Sequence, residues 1–239
     1  MLERFLEGSL LGELITSIRN ADVWGLIASI ITIAVLLLIC LPIHEAAHAF
    51  MAHRLGDNTA KYEGRLTLNP FKHLDPLGAL MILIISVGYA KPVPVNMMNF
   101  KNRKRDMALT AAAGPLSNLL MGIIFTFLYV LVGQFSVVQD SVSYYILIVL
   151  YMIFTTAASI NISLAVFNLI PIPPFDGSRI LGFFLPDRIY YKIMQYEQII
   201  FYVVLFLLFF GFLSGPLSTF IGWIQYGIYW LVSLPFRLF

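Results

Sequence analysis

The run from Trp24 to Ile43 holds twenty consecutive residues without a charged side chain or a histidine, and the motif HEAAH follows at once. A membrane-spanning helix needs about 20 apolar residues, so the run predicts one. His44, Glu45 and His48 therefore lie where that helix is still close to the bilayer. A charged side chain in the middle of a membrane costs about 2.5–3.5 kcal/mol. Three ionisable groups together indicate a polar cavity or a bound metal ion.

The composition of the whole chain is that of a membrane protein. Its 239 residues are 59% hydrophobic and 12% charged, whereas soluble domains contain about 25% charged residues. The uncharged runs 107–139, 141–175 and 198–236 are each long enough for at least one span. Gly215 and Pro216 predict a turn in the middle of the last run. We therefore expect an all-α polytopic membrane protein with about five transmembrane helices.

The stretch after the first helix is more polar and less regular. Residues 57–75 alternate Thr and Tyr with other types, which predicts a small interfacial β-hairpin. The uncharged segment 76–90 has only fifteen residues, with Pro and Gly near its edges, and is too short for a full span. Pro92 and Pro94 then enforce an extended chain. We expect 76–90 to be a re-entrant segment that enters the membrane and returns to the same side.

The remaining sequence predicts three regions. Residues 1–20 are amphipathic and are expected to lie on the membrane surface, the alternative being a frayed terminus. Residues 22–185 would form the membrane core, with helices at 107–134 and 143–169. Residues 186–239 would form a C-terminal helix pair.

The spacing of the two histidines in HEAAH carries a specific chemistry. On a helix, His44 and His48 lie one turn apart on one face, as two imidazoles that bind one metal ion do. Glu45 is then placed to take a proton from a water at that ion. H-E-x-x-H is the signature of zinc hydrolases, in which the glutamate is the general base.

A catalytic zinc ion takes three protein ligands and keeps one open position. Asp176, in PFDG, is the strongest candidate for the third ligand; a turn residue is the alternative. The single cysteine, Cys40, is expected to be a core-packing thiol. His53 rotates off the metal-binding face, and His73 is expected in the interfacial polar layer.

Topology tests this ligand set. Asp176 can reach the histidines only if segment 76–90 is re-entrant, because a full span there would deliver it to the opposite side. The re-entrant arrangement places 13 of the 15 Lys and Arg residues on one side. These are Arg54, Lys61, Arg65, Lys72, Lys91, Lys101, Arg103, Lys104, Arg105, Arg179, Arg188, Lys192 and Arg237. By the positive-inside rule, that side is cytosolic.

The motifs of this chain resemble those of the site-2 protease family of intramembrane zinc metalloproteases. They are HEAAH at 44–48, GYAKPVPVN at 88–96, AGPLSN at 113–118 and NLIPIPPFDG at 168–177. The resemblance implies zinc held by His44, His48 and Asp176. It also implies Glu45 as general base and Asn168 near the scissile carbonyl. From the residues alone, helix capping is an equal alternative for Asn168.

The resemblance extends to a minimal form of the family, without the PDZ-like or nucleotide-sensing domains of some relatives. Within AGPLSN, we expect Gly114 and Pro115 to allow close helix packing, and Asn118 to support the site or the packing.

The function expected from this resemblance is hydrolysis of peptide bonds within or near the transmembrane segments of membrane proteins. The alternatives are an intramembrane metal transporter and an inactive scaffold of the same family. The expected partners are a membrane-protein substrate, the lipid bilayer and a regulatory membrane protein, with no nucleic acid. The expected location is a prokaryotic cell membrane, crossed several times, with the active site facing the cytosol.

Overall fold

The computed structural model describes residues 9–85, 90–135, 139 and 141–237. Over these ranges the chain forms helices and no β-strand, which confirms the predicted all-α class. The α-helices are α1 (Leu10–Arg19), α2 (Val23–Arg54), α3 (Thr59–Tyr62), α4 (Pro70–His73), α5 (Pro76–Ile85), α6 (Arg103–Val132), α7 (Val142–Asn168), α8 (Asp176–Phe184), α9 (Asp187–Met194), α10 (Glu197–Phe209) and α11 (Ser214–Arg237).

Helix α2 carries the HEAAH motif and is interrupted just before it. The helix starts where the Asp22 carboxylate accepts a hydrogen bond from the Gly25 N–H at 3.0 Å. A π-helical turn, Leu36–Cys40, lies immediately N-terminal to Pro42, which has no N–H for the helix ladder. The helix gives way to a turn at Gly56, whose φ of 108° suits glycine.

Among the residues that the structure describes, three helices, α2, α6 and α7, are long and apolar enough to cross a membrane. Helices α9 and α10, which meet at a 59° bend, would add a fourth if the pair forms one span. The prediction of five transmembrane helices is therefore not confirmed. The described C-terminal residues 187–237 form the three helices α9, α10 and α11. Helix α10 has only 13 residues, fewer than the roughly 20 that a span needs.

The predicted β-hairpin at 57–75 is wrong. The segment instead forms the two single-turn helices α3 and α4. Gly64, at a φ of 66°, follows α3, and the Arg65 N–H closes that turn onto the Ala60 carbonyl at 2.8 Å. Asn69 then caps α4 and Pro70 starts it, which is a helix-start signal rather than a strand. Thr59 and Tyr62 thus lie within α3, and the Thr67 hydroxyl accepts a hydrogen bond from the Asn69 N–H.

The segment after α4 returns to the point from which it left. Helix α5 has ten residues and a length of about 15 Å, half of the hydrocarbon core. Residues 86–89 lie outside the described part of the chain. Beyond them, the Lys91 N–H donates to the carbonyl of His73 at 2.8 Å. Because the two ends of the segment meet, the chain here has the geometry expected of a re-entrant segment.

Helix α6 is the centre of the fold and packs against α2, α7, α8 and α11. Small residues let the helices approach closely. A Cβ atom on Gly122 would lie 2.6 Å from the Ile162 side chain of α7. Helix α1 packs on α2 and α5. Residues 1–8 lie outside the described chain, and the proposed division at 1–20, 22–185 and 186–239 stays a prediction.

The re-entrant geometry predicts which residues share one side of the membrane. Cysteines introduced at Lys72 and Met98, before and after the segment, should react with a membrane-impermeant thiol reagent added to the same side. Cysteine at Val142, at the start of α7, should react only from the opposite side. All three positions are exposed, and the native Cys40 is buried, so the parent protein is an unlabelled control. Labelling of positions 72 and 98 from opposite sides would contradict this topology.

Candidate metal centre

Helix α2 presents its two motif histidines side by side. The Nε2 atoms of His44 and His48 are 3.0 Å apart, and the rings meet edge to face with centroids 4.6 Å apart. Both side chains are buried where α2 packs against α6, with 6% and 8% of their surface exposed. The i, i+4 spacing therefore brings both imidazoles to one point, as the sequence predicts.

The first residue of α8, Asp176, joins the two histidines. Its Oδ2 atom lies 3.2 Å from the Nε2 atom of His44 and 3.2 Å from that of His48. The carboxylate is thus available as a ligand, and the three ligand atoms lie within 4.8 Å of one another.

A glycine allows the chain to present this carboxylate. A Cβ atom on Gly177 would lie 2.4 Å from the carbonyl oxygens of Leu169 and Ile170. No side chain can be accommodated there, because backbone atoms fill the space. The absence of a side chain at Gly177 therefore lets the start of α8 pack against the residues just after α7, which places Asp176.

The far side of each imidazole is held by a hydrogen-bond acceptor. The His44 Nδ1–H donates to Asn118 Oδ1 at 2.5 Å, and the His48 Nδ1–H donates to the Thr110 carbonyl at 2.8 Å. In neutral imidazoles, both Nε2 lone pairs then face the Asp176 carboxylate. Three electron-pair donors at 3.0–3.2 Å repel one another unless a cation lies between them. This donor set, two imidazoles and a carboxylate, fits zinc.

The extended chain at residues 90–96, here called the strap, crosses the site. The Glu45 Oε2 atom accepts a hydrogen bond from the Val93 N–H of the strap at 3.1 Å. The buried Asp57 carboxylate, just after α2, accepts from the Asn96 N–H and the Asn99 side chain, both at 2.7 Å. Burial raises the pKa of Asp57, but hydrogen bonds from the Thr59 hydroxyl, the Asn99 side chain and the backbone N–H groups of Asn96 and Thr59 outweigh it and lower the pKa. The strap is thus fixed to the helix that carries the motif.

The cluster of His44, His48 and Asp176, here called the metal group, borders a cavity of about 690 Å³. Its walls are largely apolar and come from α7, α10 and the strap, including Ile160, Leu164, Phe167, Phe201, Val204, Leu205, Pro92, Val93 and Val95. Glu45 lies on the cavity wall beside the metal group, and Arg179 and Glu197 are the further charged residues that line it. The metal group and Glu45 thus face a cavity whose walls suit an apolar polypeptide segment.

The other candidate residues lie apart from the metal group. Asn168 lines the cavity, but its Nδ2–H donates to the Leu164 carbonyl of its own helix at 3.0 Å. His53 pairs with Asn58, and His73 bonds the Thr67 carbonyl. Cys40 is a buried thiol. The catalytic role of Asn168 stays a prediction.

Comparison with known proteins identifies the family. The chain matches the model of peptidase family M50 over residues 32–211, a range that contains the whole metal group. The protein belongs to peptidase family M50. This is the site-2 protease family that the sequence motifs resemble.

The similar proteins carry the names of zinc metalloproteases. YwhC of Bacillus subtilis is 38% identical over 80% of this chain and 84% of its own length. Rip2 of Mycobacterium tuberculosis is 30% identical over 82% of this chain and 71% of its own length. MJ0611 of Methanocaldococcus jannaschii is 28% identical over 58% of this chain and 62% of its own length. No solved structure matches the chain. With the donor set described above, these relatives establish this M50 protein as a zinc metalloprotease.

Gly114 of α6 lies against both histidine rings, a contact that sequence reasoning missed. A Cβ atom there would lie 2.3 Å from His48 Nε2 and 2.6 Å from His44 Cε1. The AGPLSN motif predicts close helix packing but not which side chains the glycine touches. That contact depends on how α6 lies against α2.

Replacing Gly114 with alanine should therefore displace the imidazoles and weaken zinc binding by at least about tenfold. The measurement is zinc affinity by chelator competition in purified protein. Gly122→Ala is the matched control, because the three atoms nearest to its Cβ would all belong to Ile162 of α7 rather than to a histidine. Equal zinc affinity in the Gly114→Ala variant and the parent would contradict the contact.

Replacing Asp176 with alanine should lower zinc affinity by more than about 100-fold, because one of three candidate ligands is lost. Zinc per chain, measured by elemental analysis, is the readout. Asp187→Ala is the control, since Asp187 lies eleven residues later and pairs with Lys104 rather than with a histidine. Full zinc content in the Asp176→Ala variant would exclude Asp176 as a ligand.

Proposed function

We propose that this M50 metalloprotease cleaves peptide bonds within or near the transmembrane segments of membrane proteins. The observation that carries the proposal is that the metal group lies on the wall of an apolar cavity. Helices long enough to span a membrane form part of that wall. A soluble peptide would gain little from such walls. A transmembrane segment is apolar along its whole length and matches them.

The proposed zinc ligands are His44, His48 and Asp176. When bound, zinc supplies Lewis-acid chemistry that acidifies water and polarises a peptide carbonyl. Asn118 and the Thr110 carbonyl fix the two imidazoles in the orientation that ligation requires.

Glu45 is the proposed general base. Its carboxylate lies in the cavity next to the metal group, where it can accept a proton from the attacking water and pass it to the leaving amine. The Val93 N–H holds one carboxylate oxygen and leaves the other for this proton transfer. Asn168 lies on the same cavity wall and is the proposed donor to the substrate carbonyl, after a change of side-chain rotamer from its bond to Leu164.

A helical substrate has to unwind before it is cleaved, because its carbonyls are engaged in the helix. The strap offers an extended neighbour for the unwound segment. Its N–H groups at residues 91, 93 and 96 already bond to the protein, and Pro92 and Pro94 have none. The strap would therefore offer a substrate mainly carbonyl oxygens, with further N–H groups only at Ala90 and Val95.

The rival functions predict different arrangements. A metal transporter needs polar groups along both halves of a membrane path, whereas the metal group here lies at one end of α2, near its C-terminal turn. An inactive scaffold would have no use for Glu45 beside an intact ligand set. The proposed setting is a prokaryotic cell membrane with the site toward the cytosol, supported by the Lys and Arg distribution. A regulatory membrane protein is a proposed partner, and nucleic acid is not.

Glu45→Gln should retain zinc and lower the cleavage rate by about 10²–10⁴-fold, because the amide cannot accept a proton. New N-termini in membranes that contain the parent protein or the variant can be compared by N-terminal labelling and mass spectrometry. Glu63→Gln, on the exposed turn after α3, is the matched control. We expect new termini within transmembrane segments in the parent and the control alone. Equal cleavage by the Glu45→Gln variant would remove Glu45 from the mechanism. Zinc flux without cleavage would support the transporter.

A further inference from the structure

A chain of buried polar side chains extends from the metal group into the helix bundle. From the His44 imidazole it passes to Asn118 of α6, then to Asn161 of α7, and ends at Cys40 in the π-helical turn of α2. Asn118, Asn161 and Cys40 are completely buried. Buried polar groups in an apolar interior are costly unless they are hydrogen-bonded, so each of these side chains needs hydrogen-bond partners.

The hydrogen bonds of Asn161 fix the direction of its own amide. Its Nδ2 donates to the Ala157 carbonyl at 2.8 Å and to Cys40 Sγ at 3.1 Å. A carbonyl can only accept, so the nitrogen has to face it. The Oδ1 atom of Asn161 therefore points toward Asn118.

Asn161 in turn fixes the amide of Asn118. Asn118 Nδ2 donates to Asn161 Oδ1 at 2.7 Å and to the Cys40 carbonyl at 3.3 Å. Both partners are acceptors, so Asn118 Oδ1 has to face His44. The 2.5 Å contact between Asn118 Oδ1 and His44 Nδ1 then requires the proton on Nδ1.

The tautomer of His44 decides whether it can bind a metal ion. With the proton on Nδ1, the Nε2 lone pair is free toward His48 and Asp176. If the Asn118 amide were reversed, its NH₂ would donate to Nδ1 and the proton would move to Nε2. That tautomer presents an N–H to the metal site and cannot ligate.

We propose that Asn161 is a positioning residue that acts through Asn118 to hold His44 in its zinc-binding tautomer. The proposal rests on the proposed role of His44 as a zinc ligand. Without the Asn161 acceptor, the orientation of Asn118 depends on the Cys40 carbonyl alone, at 3.3 Å. The reversed amide then becomes accessible and competes with zinc binding.

The test compares two replacements at one position. Asn161→Leu removes the acceptor and should weaken zinc binding about tenfold. Asn161→Asp keeps it, because a neutral carboxylic acid can accept from Asn118 and donate to the Ala157 carbonyl, and should stay within about threefold of the parent. Zinc affinity comes from chelator competition, and the visible spectrum of the Co²⁺-substituted protein reports the ligand set.

Thr126→Val is the matched control for a lost buried polar group. Thr126 is buried one turn after Gly122, the α6 residue that lies against Ile162 of α7, and its hydroxyl donates to the Gly122 carbonyl of its own helix. We expect parental zinc affinity and Co²⁺ spectrum in this variant. If Asn161→Leu does not yield folded protein, Asn161→Ala takes its place in the comparison with Asn161→Asp.

A double-mutant cycle separates positioning from packing. In an Asn118→Ala background, Asn161→Leu should weaken zinc binding by less than about twofold, because the Asn118 amide through which Asn161 orients His44 is absent. The proposal would be overturned if Asn161→Leu weakened zinc binding equally in both backgrounds, or if it had no effect in the parent background. It would also be overturned if the Asn161→Asp variant bound zinc as weakly as the Asn161→Leu variant. Absence of zinc from the parent protein would instead overturn the proposed function, and the Asp176→Ala variant distinguishes the two failures.

Discussion

The cost of burying charge in an apolar helix bundle governs this structure. His44, His48 and Asp176 cannot stay apart in such surroundings, because each would need its own solvation. Brought within 3.2 Å of one another, they form a single site whose electron pairs suit one cation. The surrounding helices bring the three residues into contact. Helix α2 supplies two groups on one face, and the loop after α7 brings the third.

The support continues beyond the ligand atoms. Each imidazole has its outer nitrogen bound to α6, through a backbone carbonyl for His48 and through Asn118 for His44. Gly114 of the same helix leaves just enough room for both rings. One helix thus provides the hydrogen-bond acceptors and the space. Its position against α2 sets the geometry of the site, because any movement of α6 would disturb both histidines together.

The chain between α4 and α6 lines part of the site through Ile82 and the strap. The chain leaves at His73, returns at Lys91, and continues as the strap over Glu45. Prolines in the strap keep it extended without offering further N–H donors. The buried Asp57 fixes its far end to the helix that bears the motif. A loop of this kind belongs to the site as much as the helices do, because it orients the proposed base and borders the cavity.

The sequence determined the class of the protein and the metal motif, and it predicted Asp176 as the candidate third ligand, which the structure places beside the two histidines. These follow from composition, helical spacing and the side on which each segment emerges, all of which are local or additive. The sequence led to a wrong prediction for residues 57–75, because turn and cap residues there follow an alternating pattern like that of a β-hairpin. The tertiary structure alone decided that Gly114 touches both rings and that Asn161 reaches Cys40. Those contacts join residues far apart in the chain, and only the packing of α2, α6 and α7 brings them together.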